Sequence, residues 1–274
     1  MPHNRQKKIA VINDFCGFGR CSIAASLPII SAMKIQCCPL PTSIFSNHTG
    51  FNSFFYTDYT ESMPQYIDEW EKLSLSFNGI LTGFLGSAEQ IDIVKDFFKR
   101  FKKGDTVTVI DPVMGDYGKL YPTYTRELAD SMSSLVPFAD ILTPNLTEAC
   151  ILTGTEYKKN MDKAELITIC KSLSKMGPDR IIISGIERGG DLENFVYEKG
   201  KDPVSVIEHK VGICRSGTGD VFSSIIAADA VNGADLITSV RHASAFIAKT
   251  LKRTVELCLP ETDGICFEEF LKEL

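Results

Sequence analysis

Residues 214–220 read Cys214-Arg215-Ser216-Gly217-Thr218-Gly219-Asp220, and the run after them, Val221 to Ala228 (VFSSIIAA), has the composition of a buried helix. Glycine lets the backbone turn sharply and lets its N–H groups approach a ligand with no Cβ in the way. At a helix start several N–H groups are unpaired and point outward, and the helix dipole favours negative charge there. Gly217, Thr218 and Gly219 therefore form a candidate anion hole for a moving phosphoryl group. Asp220, on the same first turn, is placed to accept a proton from an attacking hydroxyl. An aspartate near a helix start is also favoured for capping alone. An ordinary cap, however, does not need paired glycines directly before it.

Upstream of this helix, short apolar runs alternate with amphipathic stretches. Ile9–Ile12, Gln36–Leu40, Gly79–Gly83, Thr106–Ile110, Ile141–Thr143 and Arg180–Ser184 read as strands. Helices are predicted over about 22–33, 63–73, 88–101, 124–135 and 163–176. Apolar strands separated by helices indicate a parallel sheet covered on both faces. After Gly185 the pattern changes. Glu193–Tyr197 and Val204–Ile207, split by a polar turn, predict an antiparallel hairpin at one edge. Helices over about 217–231 and 236–251 close the core. No Pro/Ser-rich linker or repeat divides the chain, so a single α/β domain over residues 1–274, a three-layer α/β/α sandwich, is expected. In such folds ligands bind at the carboxyl ends of the strands. Asn13-Asp14, Gly83-Phe84, Asp111-Pro112, Pro144-Asn145 and Ser184-Gly185 all fall there, and this convergence marks a site better than any one motif.

Composition narrows the function classes. Hydrophobic residues make up 44% and charged residues 23% of 274, with a net charge of −6. That balance argues against nucleic acid as the main partner. The one basic cluster, Lys99-Arg100 and Lys102-Lys103, closes a helix where cations suit the dipole. The opening MPHNRQKK is short and polar, and the apolar run after it reads as a strand rather than a signal sequence. No stretch reaches the length of a membrane span. The 9 cysteines include no CxxC pair and no zinc spacing. They predict a reducing cytoplasm and no disulfide framework.

Asp111-Pro112-Val113-Met114-Gly115-Asp116 sets two carboxylates at the mouth of a buried strand. They can hold Mg²⁺ directly or through water near phosphate oxygens, or merely flank a Pro/Gly turn. Asn145 with Glu148 three positions on reads as a helix cap with its reciprocal partner; the same placement can direct Glu148 toward a metal-bound water. Phe45-Ser46-Asn47-His48-Thr49-Gly50-Phe51, a predicted loop, combines aromatics and hydrogen-bonding groups suited to a flat heteroaromatic ligand. His48 on its own reads as structural rather than catalytic. Gly17-Phe18-Gly19-Arg20-Cys21-Ser22 lacks the third glycine and the downstream acid of a dinucleotide fingerprint, and no GxxxxGK[ST] loop is present. No Ser-His-Asp relay or nucleophile elbow is found.

Taken in order, these clusters resemble the ribokinase-type small-molecule kinases, and more narrowly the pyridoxal (vitamin B6) kinases, from about Ile9 to Leu251. GTGD resembles the general superfamily signature. FSNHTG, LTGF, DPVMGD and TPNLTEA resemble the B6 branch. The resemblance implies a ribokinase-like fold and ATP-dependent phosphorylation of the 5′-hydroxymethyl group of pyridoxal, pyridoxine or pyridoxamine. It implies Asp220 as catalytic base, and Gly217, Thr218 and Gly219 as the anion hole. Asp116, Asn145 and Glu148 match the Mg²⁺ and phosphate end. Asp111, Thr143 and Ser184 sit where the family holds a monovalent cation such as K⁺ and the ATP phosphates. Thr49 matches a residue contacting the ring substituents. Phe45 and Phe84 match ring-packing positions, and Tyr121 falls in a segment that covers the nucleotide. Relatives are commonly dimers, so a homodimer is expected.

Two departures bear on the substrate. Many members carry Ser-His where this chain has Asn13-Asp14. Asn13 still donates and accepts hydrogen bonds toward a substrate, and an acid at position 14 suits a cationic amine, tilting the expected preference toward pyridoxamine. Phe84 replaces a common tyrosine and removes a hydroxyl. Two alternatives remain open at this point: a hydroxymethylpyrimidine kinase of the same superfamily, and a non-catalytic B6-binding protein.

Overall fold

The computed structural model describes residues 3–121, 124–213 and 215–274; Cys214, at the head of the glycine-rich stretch, lies outside them. The chain begins with β1 (Lys8–Cys16), α1 (Ser22–Ala32), β2 (Gln36–Phe45), β3 (Tyr56–Asp58), α2 (Met63–Lys72) and β4 (Gly79–Thr82). It continues through α3 (Ala88–Phe101), β5 (Val107–Ile110), β6 (Gly115–Asp116), β7 (Lys119–Leu120), α4 (Arg126–Met132), β8 (Ile141–Leu142) and α5 (Leu146–Thr153). It ends with α6 (Lys163–Met176), β9 (Arg180–Arg188), β10 (Asp191–Glu198), β11 (Val204–His209), α7 (Thr218–Asn232) and α8 (Leu236–Glu256).

The main sheet runs β11-β10-β9-β8-β5-β4-β1-β2-β3. Every pair from β2 through β9 is parallel. β10 and β11 form the antiparallel hairpin expected after Gly185. The architecture is thus the three-layer, mostly parallel sandwich that the alternation of apolar runs predicts.

Burial explains the layers. Successive residues of β1 face opposite sides, as strand geometry requires. Ile9 and Val11 join the core under α1, α7 and α8. Ala10 and Ile12 join the one under α2 to α6. Because both faces are covered, the central strands are buried along most of their length and mainly apolar rather than alternating. Val221 through Ala228 of α7 are buried without a break, so that helix is walled in on more than one side.

Several local expectations are corrected. β2 runs on to Phe45, so Phe45 ends a strand rather than opening a loop. Asn13 and Asp14 lie inside β1, where the register with β2 shifts between Asn13 and Phe15. The sheet carries an antiparallel strand at its other edge too, since β3 pairs with the end of β2. The helix predicted over 124–135 is shorter. The Thr125 hydroxyl accepts the Leu128 amide and fixes the start. Beyond Met132 the chain tightens into a 3₁₀ turn over Ser133–Phe138, with Pro137 inside it and Ser133 and Ser134 hydroxyls tied to carbonyls three residues back. Proline offers no N–H for the α-helical ladder.

Candidate active site

A cavity of about 980 Å³ opens at the carboxyl ends of the parallel strands. It has three chemically distinct regions.

The first is the start of α7. Gly217 is the N-cap, with φ of 85°, a left-handed conformation that only glycine adopts without strain. A Cβ there would also run into the carbonyl oxygen of Arg20. The position is thus fixed twice, by its dihedral and by the approach of the first loop. The helix ladder begins with the Val221 amide donating to the Gly217 carbonyl at 2.9 Å. The amides of Thr218, Gly219 and Asp220 precede that bond and lack helical acceptors. The Thr218 hydroxyl donates to the Arg215 carbonyl at 3.0 Å, which ties the turn together.

Asp220 is half-buried beside these amides. Its Oδ1 accepts the Asn13 Nδ2 at 3.0 Å. Asn13 is itself locked, because its Oδ1 accepts the amides of Asp14 at 2.9 Å and Phe84 at 2.8 Å. Two N–H donors on one oxygen settle which end of the side-chain amide faces Asp220. Burial raises the Asp220 carboxyl above its ordinary range, while the Ser22 amide and Asn13 pull it back. Asn13 thus reaches the site through Asp220, whereas the sequence placed it against a substrate.

The second region is acidic. Asp111 follows β5 and stands near Glu148 and Asp220; loss of solvent first, and those like charges next, hold its carboxyl well up. A Cβ on Gly219 would stand 4.0 Å from Asp111 Oδ2, so this acid adjoins the opening turn of α7. Glu148 and Asn145 form the predicted reciprocal cap. The Asn145 amide donates to Glu148 Oε2 at 2.8 Å, and the Glu148 amide donates to Asn145 Oδ1 at 3.0 Å. Glu148 Oε1 also accepts the Met114 amide at 3.0 Å. Burial pushes Glu148 up and those backbone donors offset part of it. Asp116 accepts the Tyr117 amide at 2.8 Å, and its carboxyl is raised chiefly by burial. Asn145 reaches back to the Gly115 carbonyl at 2.8 Å, so α5 and the β6–β7 hairpin hold each other. Thr143, Ser184 and Tyr121 line the same wall.

The third region is aromatic. Phe45 stacks on Tyr56 at 5.1 Å and meets Phe84 edge-on at 6.2 Å. Thr49 and His48 also line the cavity, and Cys16 and Cys21 pack with Phe45. His48 Nδ1 accepts the Gly50 amide at 3.1 Å, which leaves Nε2 to donate to the Thr262 carbonyl at 2.7 Å. Both ring nitrogens are therefore engaged, as the structural reading of His48 expects.

The structure thus brings every sequence-predicted site residue to one cavity. It also adds residues that the sequence did not single out. Arg20 Nη1 donates to the Asp263 carbonyl at 3.1 Å, and its Nε pairs with Glu268 at 2.6 Å. Arg215 binds the carbonyls of Pro260 at 2.5 Å and Leu259 at 2.9 Å. The segment after α8 therefore buttresses both loops of the first region. Only long-range contact reveals this, since nothing periodic marks residues 257–267. Glu187, paired with Lys159 at 3.1 Å and Lys210 at 2.5 Å, forms a charged far wall.

Asp14 also lines the cavity. Burial pushes its carboxyl from 3.8 up to about 6. The folded state therefore binds that proton more tightly than the unfolded chain. The stability gained is fully present below pH 3.8 and is lost as pH rises through about 6. At about 1.36 kcal/mol per pH unit the loss is about 3 kcal/mol at most. Asp14→Asn is expected to melt higher than the parent at pH 7.5, with the gap closing toward pH 4. Thermal melts across that range check it; a gap that does not change with pH rules out the buried charge as its cause.

The phosphomethylpyrimidine kinase family model matches residues 19–261. A pyridoxal kinase of Arabidopsis thaliana is 32% identical over 200 residues, which are 69% of this chain and 62% of that protein. A Bacteroides thetaiotaomicron protein assigned as a phosphomethylpyrimidine kinase superposes with a TM-score of 0.97 at 37% identity, covering 100% of this chain and 95% of that one. Its orthorhombic crystal form, with pyridoxal, superposes with a TM-score of 0.95 over 98% of this chain and 96% of that one. The pyridoxal kinase of Lactobacillus plantarum, 24% identical, shares the fold with a TM-score of 0.90 over 97% and 96% of the two chains.

Proposed function

The chain belongs to the phosphomethylpyrimidine kinase family, and we propose that its chemistry is phosphoryl transfer to an alcohol, as a pyridoxal kinase acting on the 5′-hydroxymethyl group of B6 vitamers with ATP as donor. One observation carries this reading. A half-buried carboxylate, Asp220, stands on the first turn of α7 beside amides that lack helical acceptors, in a cavity whose other end is an aromatic cleft. A flat ring packed against Phe45 and Phe84 would present its hydroxymethyl arm to Asp220. The acid takes the proton as the oxygen attacks, and the 218–220 amides stabilise charge spreading over the phosphoryl oxygens. Positioning and electrostatics supply most of the rate in such transfers. Burial raises the affinity of Asp220 for a proton, which strengthens it as a base.

The acidic region fits a hard divalent cation, since its donors are carboxylate oxygens rather than thiolates or imidazoles. Among the described residues no three His, Cys, Asp or Glu groups close around a metal. Asp116 and Glu148 would hold Mg²⁺, partly through water, and Asp111 with Thr143 would hold a monovalent cation. Bound there, Mg²⁺ would neutralise charge on the phosphate oxygens. Asn145, Ser184 and Tyr121 would flank the nucleotide.

The family description itself favours a second reading, hydroxymethylpyrimidine, another flat ring with a hydroxymethyl arm. ADP release measured with pyridoxal, pyridoxine, pyridoxamine and hydroxymethylpyrimidine, with and without Mg²⁺ and K⁺, separates the two. Turnover of a B6 vitamer that depends on Mg²⁺ is expected. Turnover of the pyrimidine alone would overturn the B6 reading, and no ADP release with any of them would return the chain to a binding role.

Gly83 supplies a second test. A Cβ there would lie 2.5 Å from Asn13 Cγ, so Gly83→Ala must push Asn13 away from Asp220. A displacement of this size, of order 1 Å, can cost about a hundredfold in rate. Turnover is expected to fall by that order with the KM for ATP little changed. Unaltered turnover would show that Asn13 does not orient the base.

A further inference from the structure

Asp14 takes no part in the chemistry assigned to Asp220, yet it is only 6% exposed and lines the same cavity. It sits where the β1–β2 register shifts, next to Asn13. Its Oδ2 accepts the Cys16 thiol at 3.3 Å. Cys16 packs with Cys21, Phe45 and Phe84 in the aromatic region. On its other side stands Asp220, whose like charge acts on it. Asp14 therefore lies between the ring cleft and the base. Among the described residues no Lys, Arg or His forms an ion pair with it; the donors acting on it are Ser22, Cys16 and its own amide. Above pH 6 it is a buried anion facing a second acid, with no counter-charge from the chain. Such an arrangement costs stability unless something else supplies the charge. A perturbed acid in a cleft marks a functional group.

The chemistry of the substrates says what that something is. The three B6 vitamers differ only in the arm on the ring carbon adjacent to the one bearing the reacting hydroxymethyl group. That arm is an aldehyde in pyridoxal, an alcohol in pyridoxine and an aminomethyl group in pyridoxamine. When the hydroxymethyl oxygen reaches Asp220, the adjacent arm falls within a few ångströms of it, beside the neighbouring acid. Resting on the B6 reading, the geometry points to Asp14 as the specificity-determining residue, pairing with an N–H donor on that arm and above all with the ammonium of pyridoxamine. An aldehyde oxygen only accepts hydrogen bonds and would meet an acceptor. An alcohol can donate but carries no charge. The order of preference is therefore pyridoxamine, then pyridoxine, then pyridoxal. Hydroxymethylpyrimidine carries a neutral amino group at the equivalent ring position, so it satisfies the hydrogen bond without the ion pair.

The test measures kcat/KM for the three vitamers and hydroxymethylpyrimidine at pH 7.5 with saturating Mg-ATP, in the parent, Asp14→Asn and Asp14→Ser. The parent is expected to prefer pyridoxamine. In both variants the pyridoxamine-to-pyridoxal ratio is expected to fall about thirtyfold, which is about 2 kcal/mol at 1.4 kcal/mol per tenfold. A defect that merely disturbed the fold would lower all vitamers together and leave the ratio unchanged, and two variants guard against one failing to fold. A ratio that shifts less than threefold, or a parent that prefers pyridoxal, overturns the assignment. If the parent turns over only the pyrimidine, the B6 reading fails separately. The role of Asp14 then stands if Asp14→Asn raises the pyrimidine KM about tenfold, and fails if it does not. No turnover of any compound would overturn both.

Discussion

Asp220→Asn is expected to lower kcat by about four powers of ten while leaving nucleotide binding within a few-fold of the parent. Loss of a positioned general base typically costs 10²–10⁴. Here the same side chain also sets where the attacking oxygen sits. Asparagine keeps the shape, and its carbonyl can still accept from Asn13, so the packing of α7 survives. The variant should also melt higher at neutral pH. It removes an acid whose like charge repels both Asp14 and Asp111. Lower rate together with higher stability is the signature of a group kept for function at a cost to the fold. Single-turnover kinetics with pyridoxamine, nucleotide titration and thermal melts check the three parts. Turnover within tenfold of the parent would remove Asp220 from the role of base.

Gly217→Ala is the second large effect, and it arises from backbone rather than charge. A left-handed backbone costs a non-glycine residue about 1–3 kcal/mol. The added Cβ also has to displace the Arg20 carbonyl, because the two cannot coexist. Either the first loop or the opening turn of α7 must move. The 218–220 amides then lose their aim, and losing even one such donor costs about 10²–10³ in kcat. A fall of at least a thousandfold is expected. Stability should drop by about 3 kcal/mol, about 6–12 °C for a chain of this size. Asp220→Asn should not show that drop, so melting curves tell the two mechanisms apart. A Gly217→Ala protein with normal kcat would mean that the loop has slack and that the amides are not the anion site.

Much of this architecture was legible in the residues. Ile181-Ile182-Ile183 could be a central strand because both faces of the sheet are covered. Asn145 and Glu148 could be recognised as a reciprocal cap because the pattern is local, spanning one helical turn. The glycines before Asp220 signalled an unusual helix start for the same reason. What was not legible depends on residues distant in sequence. β3 is three exposed residues, Tyr56-Thr57-Asp58, whose pairing comes from the end of β2 rather than from an apolar pattern of their own. Asn13 could be placed near a ligand, but its contact with Asp220 spans 207 positions and depends on β1 meeting α7. Asp14 read as a departure at a strand end. That it is buried, and lacks a cation, emerges only once the neighbouring elements are packed around it.

The contact between Gly264 and the first loop has a consequence for how the protein comes into being. A Cβ on Gly264 would strike the Gly19 carbonyl, so a segment near the end of the chain seats directly against one near its beginning. Chains emerge from the ribosome N-terminal end first, at about 5–20 residues per second. The strands and most of the helices can assemble while synthesis continues. Arg20 and Arg215 must nonetheless wait for residues 259–268 before their partners exist. Catalytic competence should therefore appear only once residues 259–268 have been made and have docked on the first loop.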